Sequence, residues 1–130
     1  MISKAIELVN QDGRIFYIGS GTSGRLGIVD ASECLPTFGI GDKIIGIIAG
    51  GDKAIRSSQE FAEDSTSDAW LDLTKHNVSE NDLVIGISAS GSTPYVDGGL
   101  ETCKKNNITT GCITCNSQSN IASNSDFPIE

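Results

Sequence analysis

The sequence has 130 residues, 38% of them apolar and 20% charged, a length that suits one domain with a single core. Nine Lys and Arg against seventeen Asp and Glu leave a formal net charge of −8, and no basic cluster is present. A nucleic-acid groove or an anionic membrane surface as partner is therefore disfavoured. No apolar run approaches the roughly 20 residues of a membrane-spanning helix. The opening MISKAIELVNQDG lacks the basic start and apolar stretch of a secretory leader, so a cytoplasmic protein is expected.

In chain order, Met1–Asn10 places Ile2, Ala5, Ile6 and Val9 at helical spacing, and Asp12-Gly13 ends it with a turn. Arg14–Ile18 is a short apolar run, as a parallel strand covered on both faces requires. Gly19–Gly24 forms a glycine and hydroxyl loop, and a helix with Leu26, Ile28 and Val29 follows from Ser23. Pro36 predicts that this helix stops by Leu35.

Lys43–Ala49 reads as a second strand, and Asp52 behind Gly50-Gly51 as the cap of the next helix. That helix is expected to carry Ala54, Ile55, Phe61, Ala62 and Ala69 on its core face and Gln59, Glu60, Glu63 and Asp64 on its polar face. Leu83–Ile87 is the third strand and SASGST, Ser88–Thr93, a second hydroxyl-rich loop. Pro94 opens a helix that runs to about Lys105. A fourth strand lies near Thr110–Cys115, and Phe127-Pro128-Ile129 begins a fifth.

Strands alternating with helices predict a three-layer, doubly wound parallel α/β sheet of four to five strands. The whole chain, residues 1–130, is read as a single domain. The two hydroxyl loops follow the first and third strands. In a 2-1-3-4-5 strand order these strands are neighbours, so both loops open into one crevice at the topological switch point.

Cys34, Cys103, Cys112 and Cys115 read as buried, reduced thiols. Cys112 and Cys115 make a CxxC inside a strand-like run, not at a helix start, and the lone His76 adds no second ligand pair for zinc. No metal site is expected.

Gly19, Gly21 and Gly24 satisfy GxGxxG, but the acidic residue that a dinucleotide site needs about 20 positions on is missing. The loops instead offer Ser20, Thr22, Ser23, Ser88, Ser90, Ser92 and Thr93. Hydroxyls and backbone N–H groups at two helix N-termini suit a compact phosphomonoester, and Gly21, Gly24 and Gly91 let the backbone approach it. Plain Ser/Gly turns are the alternative for either loop alone.

GSGTSGR and SASGSTP together resemble the sugar isomerase (SIS) domain, a sugar-phosphate-binding module. GSGTSGRLGIVDASECLPTFG, IAGGDKAIRSSQEFAEDS and GISASGSTPYV resemble the N-acetylmuramic acid 6-phosphate etherase family over nearly the whole chain. The glucokinase regulatory protein is similar in the first loop and in GGDKAI…AEDS. Glu33, in DASEC, favours the etherase.

The resemblance implies cleavage of the D-lactyl ether of N-acetylmuramate 6-phosphate, giving N-acetylglucosamine 6-phosphate and D-lactate. It implies elimination across C2–C3 followed by hydration, with no metal or organic cofactor. It also implies the site residues: Glu33 as the acid for the departing lactate oxygen and Glu63 as the base for the C2 proton. The phosphate would lie on Ser20, Gly21, Thr22, Ser23 and Gly24 and on Ser88, Ser90, Gly91, Ser92 and Thr93.

From spacing alone, Glu33 is equally a solvated residue at a helix end, and Glu63 an exposed helix residue. A helix end and Asp30 one turn back favour a protonated Glu33. Ser23 to Glu33 spans roughly 15 Å if helical, longer than a hexose reaches. Glu33 therefore either folds back after an early helix end or serves a neighbouring subunit's crevice, and a homodimer is expected.

The sequence departs from the family pattern in three ways. Ser92 stands where the family has an arginine in SGRTP, Leu35-Pro36 replaces Pro-Pro, and the chain is short at both ends relative to the family. A non-catalytic sugar-phosphate-binding regulatory module is therefore the second reading, and a dinucleotide domain the third.

Overall fold

A computed structural model describes residues 1–130. Five short strands, β1 (Ile15–Gly19), β2 (Ile44–Ile48), β3 (Leu83–Ile87), β4 (Thr109–Ile113) and β5 (Phe127–Ile129), form one all-parallel sheet in the order β2-β1-β3-β4-β5. This is the expected strand order. Gly19 aligns with Ile48 on one side and Ile87 on the other, so the carboxyl ends of β1 and β3 finish level. The loops that follow them emerge side by side, at the place where an open α/β sheet receives ligands.

Six helices connect and cover the strands: α1 (Ile2–Asn10), α2 (Gly21–Phe38), α3 (Asp52–Arg56), α4 (Asp68–Lys75), α5 (Pro94–Lys105) and α6 (Asn120–Ser123). On one sheet face Phe16, Ile18, Val84 and Cys112 pack with Ala69 and Leu73 of α4, Val96 and Leu100 of α5, and Ile121 of α6. On the other face Ile15, Leu83 and Ile85 pack against Leu8 of α1. No helix is long and apolar enough to cross a membrane.

Four expectations are corrected. The helix after the first loop does not stop by Leu35; α2 runs through Pro36 to Phe38. Gly39, at φ 73°, ends it, with its N–H bonded to the Leu35 carbonyl at 2.9 Å and Ile40 N–H reaching Cys34 O at 3.4 Å. A glycine cap satisfies the last carbonyls and so outweighs the bond that the proline removes.

The helix from Asp52 is not continuous. It ends at Arg56, Ser57 is extended, and residues 57–67 run as turns before α4. Serines 57 and 58 offer the backbone local partners that compete with helix, and Gln59 Nε2 binds both their carbonyls. Glu63 therefore lies on a turn. Phe61, expected in the core, is 79% exposed in the left-handed region at φ 64°.

In α1 the packed face is Ala5, Leu8 and Val9, joined by Met1 just before the helix, while Ile2 and Ile6 point to solvent. The last correction concerns Cys115, which lies past the end of β4 and is exposed; the other three cysteines are buried, and all four are free.

Candidate functional site

The first loop is held by close backbone packing. A Cβ on Gly24 would stand 2.8 Å from the Gly19 carbonyl and 2.6 Å from the Ile48 side chain, so only glycine lets α2 start this close to the sheet. Gly21, at φ 49°, makes the turn. Ser20 is the N-cap of α2, yet its hydroxyl makes no capping bond. Instead Ser20 Oγ donates to Glu63 Oε2 at 2.6 Å. The first N–H groups of α2, near Thr22 and Ser23, therefore receive no bond from the Ser20 side chain.

Glu63 reaches this loop from the turn segment 57–67. Its backbone carbonyl accepts a hydrogen bond from Tyr95 N–H at 3.0 Å, at the start of α5. Its side chain touches the first loop and its main chain is tied to the element that follows the second. A cavity of about 300 Å³ opens here, lined by Ser20, Gly21, Arg25, Gln59, Glu60 and Glu63 among others. Its size is at the low end for a small-molecule site. Arg25 was not singled out from the sequence, although its place one turn into the helix behind Ser20–Gly24 is a usable signal. Its Nε donates to the Ile55 carbonyl at 3.0 Å.

The second loop does not line that cavity. It is closed by its own hydroxyls: Ser88 and Thr93 share a hydrogen bond of 2.7 Å, and Ser88 and Ser90 one of 3.3 Å. Gly91, at φ 72°, donates to Ser88 Oγ at 3.2 Å, and Ser92 N–H to Ser90 Oγ at 3.3 Å. Thr93 is the N-cap of α5 and, like Ser20, makes no capping bond. Asn116 Nδ2, from the loop after β4, braces the Ser90 carbonyl at 2.9 Å. That support was not anticipated; it depends on a loop 26 residues away in sequence.

Glu33 is elsewhere. It is exposed on α2 and lines an apolar groove of about 500 Å³ with Tyr17, Asp30, Leu26, Ile87 and Ile113. The helix continues five residues beyond it, so Glu33 is not in the last turn and the expected dipole effect does not apply there. Fold-back after an early helix end is also excluded. Burial first, and then the neighbouring Asp30 carboxylate, push the Tyr17 hydroxyl well above its ordinary value. Burial, Asp30 and Glu33 push the Cys34 thiol up. Both groups stay protonated near neutral pH.

A parallel sheet whose order reverses between β1 and β3, each followed by a hydroxyl-rich loop and a helix, defines a doubly wound α/β domain. Comparison with known proteins narrows that class. Residues 1–104 match the glucokinase regulatory protein N-terminal SIS domain, and the chain belongs to that family.

The N-acetylmuramic acid 6-phosphate etherase of Christiangramia forsetii is 54% identical over this whole chain, which covers 48% of that protein. The etherase of Bacteroides fragilis is 52% identical over the whole chain and is covered to 47%. The chain spans about half the length of the curated relatives it matches.

Among solved structures, a phosphoheptose isomerase from Francisella tularensis aligns with a TM-score of 0.69 at 13% identity, covering 97% of this chain and 68% of that one. The Vibrio vulnificus NanR protein, complexed with ManNAc-6P, aligns at 0.64 and 23%, covering 98% and 42%. At these identities the likeness is one of fold.

Proposed function

We propose that this chain is the sugar-phosphate-binding and elimination core of an N-acetylmuramic acid 6-phosphate etherase. The 6-phosphate sits over the N-termini of α2 and α5, on Ser20–Gly24 and on Ser88, Ser90, Gly91, Ser92 and Thr93, whose hydroxyls rotate outward to meet it. Glu63 takes the C2 proton of the open-chain sugar. Glu33 protonates the C3 ether oxygen as D-lactate leaves, and a C2–C3 double bond forms. Water then adds at C3 and C2 is reprotonated, giving N-acetylglucosamine 6-phosphate.

The observation that carries this reading is the 2.6 Å contact between Ser20 Oγ and Glu63 Oε2. It sets a carboxylate beside the proposed phosphate loop, within the length of an open-chain hexose whose 6-phosphate is held there. Glu33 lies in a different groove from Glu63, which supports its action in the crevice of a second copy and hence a homodimer with shared sites. Two relatives named as N-acetylmuramic acid 6-phosphate etherases, each above 50% identity, support the reaction class.

The alternative, a non-catalytic sugar-phosphate-binding regulatory module, is not favoured by relatives named as etherases. A coupled D-lactate assay with N-acetylmuramate 6-phosphate separates the two. Lactate release that falls about 10²–10⁴-fold in Glu63→Gln supports the etherase. Saturable binding without release supports the module.

A further inference from the structure

We propose that Arg25 binds the lactyl carboxylate of the substrate and thereby sets the preference for lactyl-bearing over plain amino sugar phosphates. This assignment rests on the etherase reading above and adds a substrate contact to it. N-acetylmuramate 6-phosphate carries two anions. The phosphate meets neutral donors, the loop hydroxyls and helix N–H groups, and no residue from Ser88 to Thr93 is charged. The carboxylate needs a partner of its own.

Arg25 is placed for it. It is half-buried and lines the same cavity as Ser20 and Glu63. Lys4, Arg14, Lys43, Lys75 and Lys105 are each paired with a carboxylate. Of the four cations without an acidic partner, Lys53, Arg56 and Lys104 are exposed and outside the cavity, and Arg25 alone lines it. Its one hydrogen bond, from Nε to the Ile55 carbonyl at 3.0 Å, fixes the plane of the guanidinium and leaves both terminal nitrogens free. That edge is the fork that matches a carboxylate. A partly desolvated, unpaired cation in a cavity favours an anionic occupant.

The other ionisable groups of the cavity, Glu60 and Glu63, repel a carboxylate, so Arg25 is where it lodges. The order of groups along the sugar agrees. The lactyl ether is on C3, next to the C2 proton taken by Glu63, and Arg25 shares the Glu63 side of the crevice.

The test is calorimetric titration of N-acetylmuramate 6-phosphate and N-acetylglucosamine 6-phosphate, on a Glu63→Gln background that keeps the first sugar intact. Arg25→Met is expected to weaken the lactyl sugar about 10- to 100-fold and to leave the plain sugar phosphate unchanged. Arg25→Lys, which keeps the charge without the paired donors, is expected to fall between. It also gives the readout should the methionine variant fail to fold, as a thermal melt will show. Equal weakening of both ligands would assign Arg25 to the phosphate, and no weakening of either would leave it structural; each overturns the assignment alone. A parent protein that bound neither sugar would overturn it together with the functional reading.

Discussion

Asp82 shows how much a single side chain organises here. It is 2% exposed, and its carboxylate accepts from Arg14 N, Nε and Nη2 at 2.9, 3.1 and 2.9 Å and from Ser79 N and Oγ at 2.8 and 3.2 Å. Burial opposes its charge, but these donors and the Arg14 guanidinium outweigh burial and hold it below the usual carboxylate range. Because the folded value lies below the unfolded one, its stabilisation is complete above about pH 4 and is lost as pH falls through the lowered value. Asp82→Asn is expected to cost about 3–5 kcal/mol at pH 7. The loss should shrink in acid, as read by denaturant titration at several pH values. A deficit independent of pH would contradict the account. Site residues were legible to different degrees. Ser20 and Gly24 belong to a motif, while the meeting of Ser20 with Glu63, 43 residues on, depends on the path of the irregular segment 57–67.

At the scale of elements, the segment 57–67 is the connection that decides the site. It is pressed against α5 at Gly98, where a Cβ would come 2.1 Å from the Thr66 carbonyl. Alanine suits helix better than glycine by up to about 1 kcal/mol, but this contact is with backbone and cannot yield cheaply. Gly98→Ala is therefore expected to destabilise by about 1–3 kcal/mol and to displace the segment that carries Glu63. Lactate release should then fall in protein that is still folded by circular dichroism. Undiminished turnover would break the proposed link between α5 and the base. Strands β1, β2 and β3 were readable in advance because each is a short apolar run bounded by turn residues. The break after Arg56 was not, since Ala54, Ile55, Phe61 and Ala62 fit a helical stripe that the serines and the left-handed Phe61 interrupt.

For the molecule as a whole, the strand order was legible because two similar loops had to meet, and only neighbouring strands bring them together. The exposed groove was less so. Leu26 and Val29 of α2 and Ile129 of β5 are well exposed, and Ile113 of β4 is 38% exposed on the Glu33 side of the sheet, a surface that the short helix α1 does not cover. If two copies share sites across it, Leu26→Glu should shift sedimentation towards monomer and reduce lactate release in parallel. A monomer with undiminished turnover would remove Glu33 from the neighbour's crevice. The central claim, that Glu63 is the C2 base held beside the phosphate loops, has a more direct test. Proton NMR of N-acetylglucosamine 6-phosphate in deuterated buffer follows exchange at C2 without requiring lactate. The account predicts exchange with the unaltered protein that slows about 10²–10⁴-fold in Glu63→Gln, with binding of the sugar retained. Exchange that persists at full rate in Glu63→Gln would contradict it.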